Sequence, residues 1–189
     1  MPQPLSSAFP DSTPRQLGRR LVTELQRLPG ECDTKLCVQL IDNGAAVETK
    51  GRDNSTPLLL AAFYGYEDVA AALIFKKADL DALSDHQHTP LMMAAALGHL
   101  PLVRQLVDAG ADLALKDKNG DTALDRAYAF GTSNDAIHAR QRPIISELQA
   151  AERKRAADVA RAQMNAALQD GLATKTPLKP LRPVHFRQG

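Results

Sequence analysis

A period of 33 residues constrains this sequence more than any local propensity does. Thr56-Pro57-Leu58 recurs as Thr89-Pro90-Leu91 and again as Thr122-Ala123-Leu124. Aligned at that offset, residues 51–83 and 84–116 share ten identities. They are the Thr-Pro-Leu triplet, Ala61/Ala94, Ala62/Ala95, Gly65/Gly98, Leu73/Leu106, Ala78/Ala111, Asp79/Asp112 and Leu80/Leu113. Chance would supply roughly two or three at this composition. One unit of this length cannot bury its own apolar face, so copies must stack, and about three are the minimum for stability.

Each recurring column has a physical reading. Thr56 and Thr89 can cap a helix through the side-chain oxygen, and the proline that follows suits a first helical turn, where its missing N–H costs nothing. The paired alanines let two antiparallel helices approach closely. Gly65 and Gly98 end the first helix where a left-handed residue is needed. A second helix is expected over 67–76 and 100–109, with Val69, Leu73 and Ile74, or Leu102, Val103, Leu106 and Val107, forming the apolar stripe. The chain then turns out through Lys77-Ala78-Asp79 or Gly110-Ala111-Asp112 into a polar connection such as 116–121, which carries an Asn-Gly turn signal.

The patterns D-x-x-G-x-T-A-L with A-x-x-x-G, and T-P-L-M-M-A-A-A-L-G-H with L-V-R-Q-L-V-D-A-G-A-D, closely resemble the ankyrin repeat. The resemblance covers residues 51–131, and a weaker copy precedes it. There Leu40, Ile41 and Ala45 align with Leu73, Ile74 and Ala78, while Thr23 and Leu25 align with Thr56 and Leu58. The fold it implies is all-α, a solenoid of about four helix-turn-helix repeats with hairpin loops, followed by a C-terminal helix and a disordered tail. The expected divisions are a disordered segment 1–13, a repeat domain 14–149 (14–50 as N-terminal cap, then 51–83, 84–116 and 117–149), a helix 150–170 and a basic tail 171–189. In the cap, Leu17, Leu21, Leu25 and Leu28 share one face, with Arg19, Arg20 and Arg27 elsewhere.

The sequence departs from the family pattern in three places. The usual histidine after Thr-Pro-Leu is Leu59, Met92 and Asp125, so the usual threonine–histidine bonding between repeats is not available. Asn54 and Gln87 replace the turn glycine. The last repeat carries about nine extra residues, because Ile145 and Leu148 match Val103 and Leu106 only if an insertion lies between Thr132 and Pro143.

Composition agrees with closely packed helices. Thirty of the 189 residues are alanine, against eight aromatics and no tryptophan. No apolar run approaches the roughly 20 residues that span a bilayer. A formal net charge of +1 gives no reason to expect nucleic-acid binding by the whole chain. That figure hides a cancellation, since residues 150–189 hold eight Lys/Arg against three Asp/Glu (+5) and residues 1–149 hold 15 against 19 (−4). From Ile144 to about Asp170 the sequence lacks glycine and proline and is rich in Ala, Glu, Arg and Gln. A long helix is expected there, with a thin apolar face.

The chemical motifs that would mark an enzyme are missing: no phosphate-cradling glycine loop, no G-x-S-x-G, no H-E-x-x-H and no cysteine–histidine grouping. No catalytic, cofactor or metal residues are expected. His86 and His88 alternate on a hairpin, but two ligands make a poor metal site. Cys32 and Cys37 are too few for a disulfide framework and are read as thiols without chemistry. The first twenty residues contain no apolar stretch of the roughly 7 to 15 that a secretory signal requires, so a reduced, cytoplasmic setting is expected.

Surface recognition remains. In the ankyrin family, partners generally bind the concave side made by hairpin tips and first-helix faces. The matching positions here are Arg52, Asp53, Ser55, Phe63, Tyr64 and Tyr66, then Asp85, His86, His88, Ala96 and Leu97, then Lys118, Asn119, Asp121, Ala129 and Phe130. Phe63, Tyr64 and Tyr66 concentrate three aromatics within four residues, and aromatic anchors often dominate binding energy. Tyr66 and Phe130 could instead pack between repeats. The expectation is a monomer that binds a protein partner without catalysis and takes no small-molecule substrate. The competing reading assigns the activity to the C-terminal helix and basic tail, by self-association or by contact with an anionic surface.

Overall fold

The computed structural model describes residues 13–27, 30–131 and 135–169, with the side chains of 130, 131, 135–138 and 167–169 excepted. Among the described residues all regular structure is helical. The α-helices are α1 (Pro14–Leu25), α2 (Thr34–Asp42), α3 (Pro57–Tyr64), α4 (Glu67–Phe75), α5 (Pro90–Leu97), α6 (Leu100–Ala109), α7 (Ala123–Gly131) and α8 (Asp135–Gln169), with a 3-10 turn at Arg52–Asn54. The chain divides into two units, Met1–Ala151 and Glu152–Gly189.

Within the first unit the threonines cap as the sequence implies. Thr56 Oγ1 accepts from the Leu59 amide at 3.4 Å, Thr89 Oγ1 from Met92 at 3.2 Å and Thr122 Oγ1 from Asp125 at 3.3 Å. At two of the three positions the residue that replaces the family histidine bonds back to the cap of its own repeat. Asp125 Oδ2 reaches back to the Thr122 amide at 2.9 Å and hydroxyl at 2.7 Å, and Met92 Sδ lies 3.5 Å from the Thr89 amide. α3 and α5 stop at left-handed Gly65 (φ 78°) and Gly98 (φ 83°).

The inner helices pack in series, α1 on α3, α3 on α5 and α5 on α7, and the outer helices follow, α2 on α4 and α4 on α6. Ala61, Ala62, Ala94 and Ala95 are wholly buried where the inner helices meet, beside Leu58 and Leu91. The outer stripe, Leu40, Ile41, Val69, Leu73, Leu102, Val103 and Leu106, is likewise fully buried. Each such aliphatic side chain contributes about 1.5–3 kcal/mol relative to exposure.

Polar bonds then fix one repeat on the next. Glu48 Oε1 accepts the Asp79 amide and Asp81 Oδ1 accepts the Asp112 amide, both at 2.8 Å. Glu48 and Asp81 are one period apart, and the next position is Ala114, which has no carboxylate to continue the series. On the other edge, His99 Nε2 donates to the Phe63 carbonyl at 3.3 Å. The His99 ring lies over Gly65, where a Cβ would stand 2.7 Å from it, so glycine is required there for space as well as for φ.

The ends of the solenoid differ from the sequence reading. Thr23 is not a helix cap; it sits in α1, with its hydroxyl donating to the Arg19 carbonyl at 2.8 Å. The cap of the first repeat is Thr13, whose side chain accepts from Gln16 N in a full capping box, followed by Pro14. Leu17, Leu21 and Leu25 are buried and Arg19, Arg20 and Arg27 exposed, as expected, while Leu28 lies outside the described residues. The last helix begins at Asp135 rather than at Ile144 and runs through Pro143. Residues 132–134 of the expected insertion lie outside the described residues, and 135–143 are helical.

The reason is legible once the register is known. At an offset of 42 residues, His99, Pro101, Leu102, Val103 and Leu106 reappear as Gln141, Pro143, Ile144, Ile145 and Leu148. Gln141 Nε2 donates to the Ala96 carbonyl at 2.9 Å, as His99 does to Phe63 one repeat earlier. Pro143 thus matches Pro101 of the first turn of α6, but the extra residues extend α8 in front of it and leave it inside the helix.

The residues that follow the outer helices make a test of backbone strain. Gly44 (φ 88°) and Gly110 (φ 102°) flank, one period to either side, Lys77, which has φ 62°. A non-glycine residue in the left-handed region costs about 1–2 kcal/mol, offset in part by the greater unfolded-state entropy of glycine. Lys77→Gly should therefore raise unfolding free energy by about 0.5–1 kcal/mol, read as a higher urea midpoint at unchanged slope.

Candidate interaction surface

The first-unit hairpins project beside the inner helices, and between them lies an open groove of about 550 Å³. Arg52, Asp53 and Ser55 of one hairpin and Ser84 and His86 of the next form its rim. Leu59, Leu60, Phe63 and Tyr64 of α3 and Met93 of α5 form its floor, and Thr23 and Gln26 close the end nearest α1. Phe63 is 45% exposed although most of α3 is buried. Its ring meets Tyr64 edge-on at 4.9 Å, and Tyr64 stacks on Tyr66 at 5.6 Å. Arg52, Asp53, Phe63, Tyr64 and His86, named from sequence, are thus brought to one groove.

Tyr66 is not at that groove. It packs between the first two repeats, and burial pushes its hydroxyl up to about 12, with the neighbouring Cys32 adding to the shift. Asp85 joins the two hairpins, accepting from Asn54 Nδ2 at 2.9 Å and donating its amide to the Asp53 carbonyl at 3.1 Å. Leu97 is exposed at the end of α5, Ala96 is half-buried above it, and Ala129 is exposed on α7. The Phe130 side chain lies outside the described residues.

The next pair of hairpins is closed by charge. Asp117 is buried, and its carboxylate accepts from the Asn119 amide at 2.7 Å, the Asp121 amide at 3.1 Å and Arg126 Nε at 2.7 Å. His88 Nε2 meets the Arg126 guanidinium and lies 3.6 Å from Asp117 Oδ2. Burial alone would raise Asp117, but the two amides and Arg126 outweigh it and hold the carboxyl below its usual range. Burial, with Arg126 next, lowers His88. Of the residues named here from sequence, Lys118 and Asn119 remain exposed, while His88 and Asp121 are half-buried in this cluster.

The ankyrin repeat model matches residues 53–85, and a model of ankyrin repeats in many copies matches residues 74–127. Residues 53–127 are thus built of ankyrin repeats. No curated protein matches it significantly. Ankyrin repeats generally serve as protein–protein interaction modules, and the family is typically non-catalytic.

Within this ankyrin array, sequence reasoning missed Leu59, Leu60 and Met93 as groove residues because apolar positions inside a helix read as core. Thr23 and Gln26 were missed because the first inner helix was placed in the wrong register. Two exposed aromatics also escaped notice. Phe75 is 79% exposed at an outer-helix position where Asp42 and Asp108 stand in the neighbouring repeats. Tyr128 is 45% exposed and accepts from Gln149 Nε2 at 2.8 Å. The signal for Phe75 was an apolar residue breaking a polar column, whereas Tyr128 stands where Ala62 and Ala95 are buried in the preceding repeats, so its column read as core.

Two predictions follow from the charged cluster. Asp117→Ala would strand Arg126 in a site where it is only 17% exposed, and should cost about 3 kcal/mol in urea unfolding. His88 has a depressed folded-state pKa, so its contribution is full above the ordinary value of about 6.5 and is lost as pH falls through the folded value. Between pH 7 and 5 the melting temperature should fall more in the wild type than in His88→Gln, with Asp117 ionised throughout.

Proposed function

We propose that this protein is a non-catalytic adaptor, inhibitor or effector that binds a partner protein through the groove between the hairpins of its second and third repeats. The observation that carries the reading is Phe63, a phenyl ring 45% exposed on an inner helix and surrounded by Tyr64, Arg52, Asp53 and His86 at one open groove. An apolar anchor ringed by polar groups of both signs is the composition of an interface core and rim. A folded partner or extended segment inserting an apolar side chain beside Phe63 would find Leu59, Leu60 and Met93 beneath it. On this reading the protein acts as a cytoplasmic monomer and needs no cofactor or small-molecule substrate. Lys118, Asn119, Asp121 and Leu97 would contribute only to a partner that extends beyond the groove.

The helix of the second unit supports a different reading. Within the described part of Glu152–Gly189, Val159 is 55% and Met164 61% exposed, beside exposed Arg153, Lys154 and Arg161. A basic helix that exposes apolar side chains in this way suits self-association or an anionic surface.

Affinity capture from the native cell with cross-linking separates the two. Cross-links should map to the 52–55 and 84–88 hairpins, and Phe63→Ala with Tyr64→Ala should lower capture at least tenfold while helix content stays the same. Phe63→Ala alone should leave the melting temperature unchanged. Capture that survives these changes but is lost from a chain ending at Ala150 would assign the activity to the second unit, as would a dimer that light scattering finds only with the full chain.

A further inference from the structure

The two cysteines of the chain lie five residues apart and touch in space. Asp33 caps α2, accepting from the Leu36 amide at 3.1 Å. Cys32 therefore immediately precedes the cap and Cys37 is the fourth residue of the helix, the two positions that a hydrophobic staple brings together at a helix entry. Their sulfurs are 3.8 Å apart and both are free thiols. Cys32 is half-buried and reachable from solvent, whereas Cys37 is fully buried.

We propose that Cys32 and Cys37 form a redox site, a dithiol that closes to an intramolecular disulfide by exchange with a small disulfide of the glutathione class. Cys32, as thiolate, attacks one sulfur of the small disulfide. That bond breaks, a mixed disulfide forms on Cys32, and the first small thiol leaves carrying the proton that Cys32 gave up. Cys37 then attacks the Cys32 sulfur, and the second small thiol leaves with the proton of Cys37. The protein loses two electrons and two protons, and the small disulfide is reduced to two thiols.

The environments of the two sulfurs set this order. Burial, followed by the nearby Cys32, pushes the Cys37 thiol up, which makes it a poor first nucleophile. Its contact with Cys32 makes the second step intramolecular, so the low thiolate fraction is countered by proximity. Cys32 precedes the capped helix, on the segment that must move for the sulfurs to reach about 2.05 Å. Tyr66 lies beside the pair and stacks on Tyr64, a groove residue. The chain has three tyrosines and no tryptophan, and two of the three, Tyr64 and Tyr66, lie in this neighbourhood, so a change there is read in the tyrosine emission.

The full-length protein equilibrated against buffers of increasing oxidised-to-reduced glutathione ratio tests the assignment. The wild type should pass to one species, lighter by two hydrogens, that accepts no alkylating reagent after unfolding, with quenched tyrosine emission and a melting point raised by several degrees. Cys37→Ser should accumulate one glutathione on Cys32, and Cys32→Ser should stay unmodified over the same time. Two alkylatable thiols at the most oxidising ratio, a wild type that stops at the mixed disulfide, or a disulfide between two chains would overturn the proposal. Modification of Cys32→Ser as fast as Cys37→Ser would overturn the role of Cys32 as the attacking thiol.

Discussion

An eight-residue helix does not persist alone in water, where even alanine-rich helices are marginal below about 12–15 residues. α3 and α5 are each of that length, so every inner helix depends on the one beside it. The alanine columns make that dependence workable. Ala61 and Ala62 of one helix and Ala94 and Ala95 of the next have no exposed surface, and their small side chains let the backbones approach. The threonine caps and left-handed glycines fix where each helix begins and ends. The carboxylates of Glu48 and Asp81 then set the stagger between repeats through backbone amides. Side-chain packing supplies most of the stabilisation, and these polar bonds select one register from several that the apolar stripe would tolerate.

A stack built on neighbours leaves two ends with one neighbour each, and both ends are lengthened. Thr13-Pro14 stands 43 residues before Thr56-Pro57 instead of 33, and the extra chain gives α1 twelve residues. At the other end the Gln141, Pro143, Ile144 and Leu148 series is displaced by nine residues relative to the period, and the added residues extend the helix that carries it. A longer terminal helix brings more of its own intrahelical bonds, with twelve residues in α1 against eight in α3 and α5. It therefore relies less on a partner that is not there.

Much of this was legible in the sequence wherever the spacing stayed constant. The helix starts at Thr56 and Thr89, the stops at Gly65 and Gly98, and the outer stripe from Val69 to Leu106 all follow from columns that repeat at 33 residues. Reading failed where the spacing changed. Thr23 aligned with Thr56 by count, while the cap was ten residues earlier, in a segment read as disordered. Pro143 read as a boundary because proline inside a helix removes a hydrogen bond, whereas its register matches Pro101 in a first turn. The candidate groove was half legible. Its charged rim residues and the two aromatics of its floor were named from sequence, but Leu60 and Met93 carry no sign that distinguishes a groove floor from a core. Nor does spacing reveal that Cys32 and Cys37 meet, since that contact depends on Asp33 acting as the cap between them.

The hairpins explain why exposed chemistry gathers in the first half of the array. Between the third and fourth repeats, Asp117 draws Arg126, two backbone amides and His88 into one buried cluster, so the polar groups of that edge are spent on each other. Between the second and third, the hairpins are joined by Asp85 with Asn54 and the Asp53 carbonyl, a lighter connection that leaves Arg52, Asp53 and His86 exposed at the rim. The same contrast holds beneath. α7 carries Asp125, turned back on its own threonine, where α3 carries Leu59 facing the groove. One period of sequence thus yields two kinds of edge. A half-buried arginine makes one a structural joint, and the absence of a counterpart at Leu60 or Met93 keeps the other open beside Phe63.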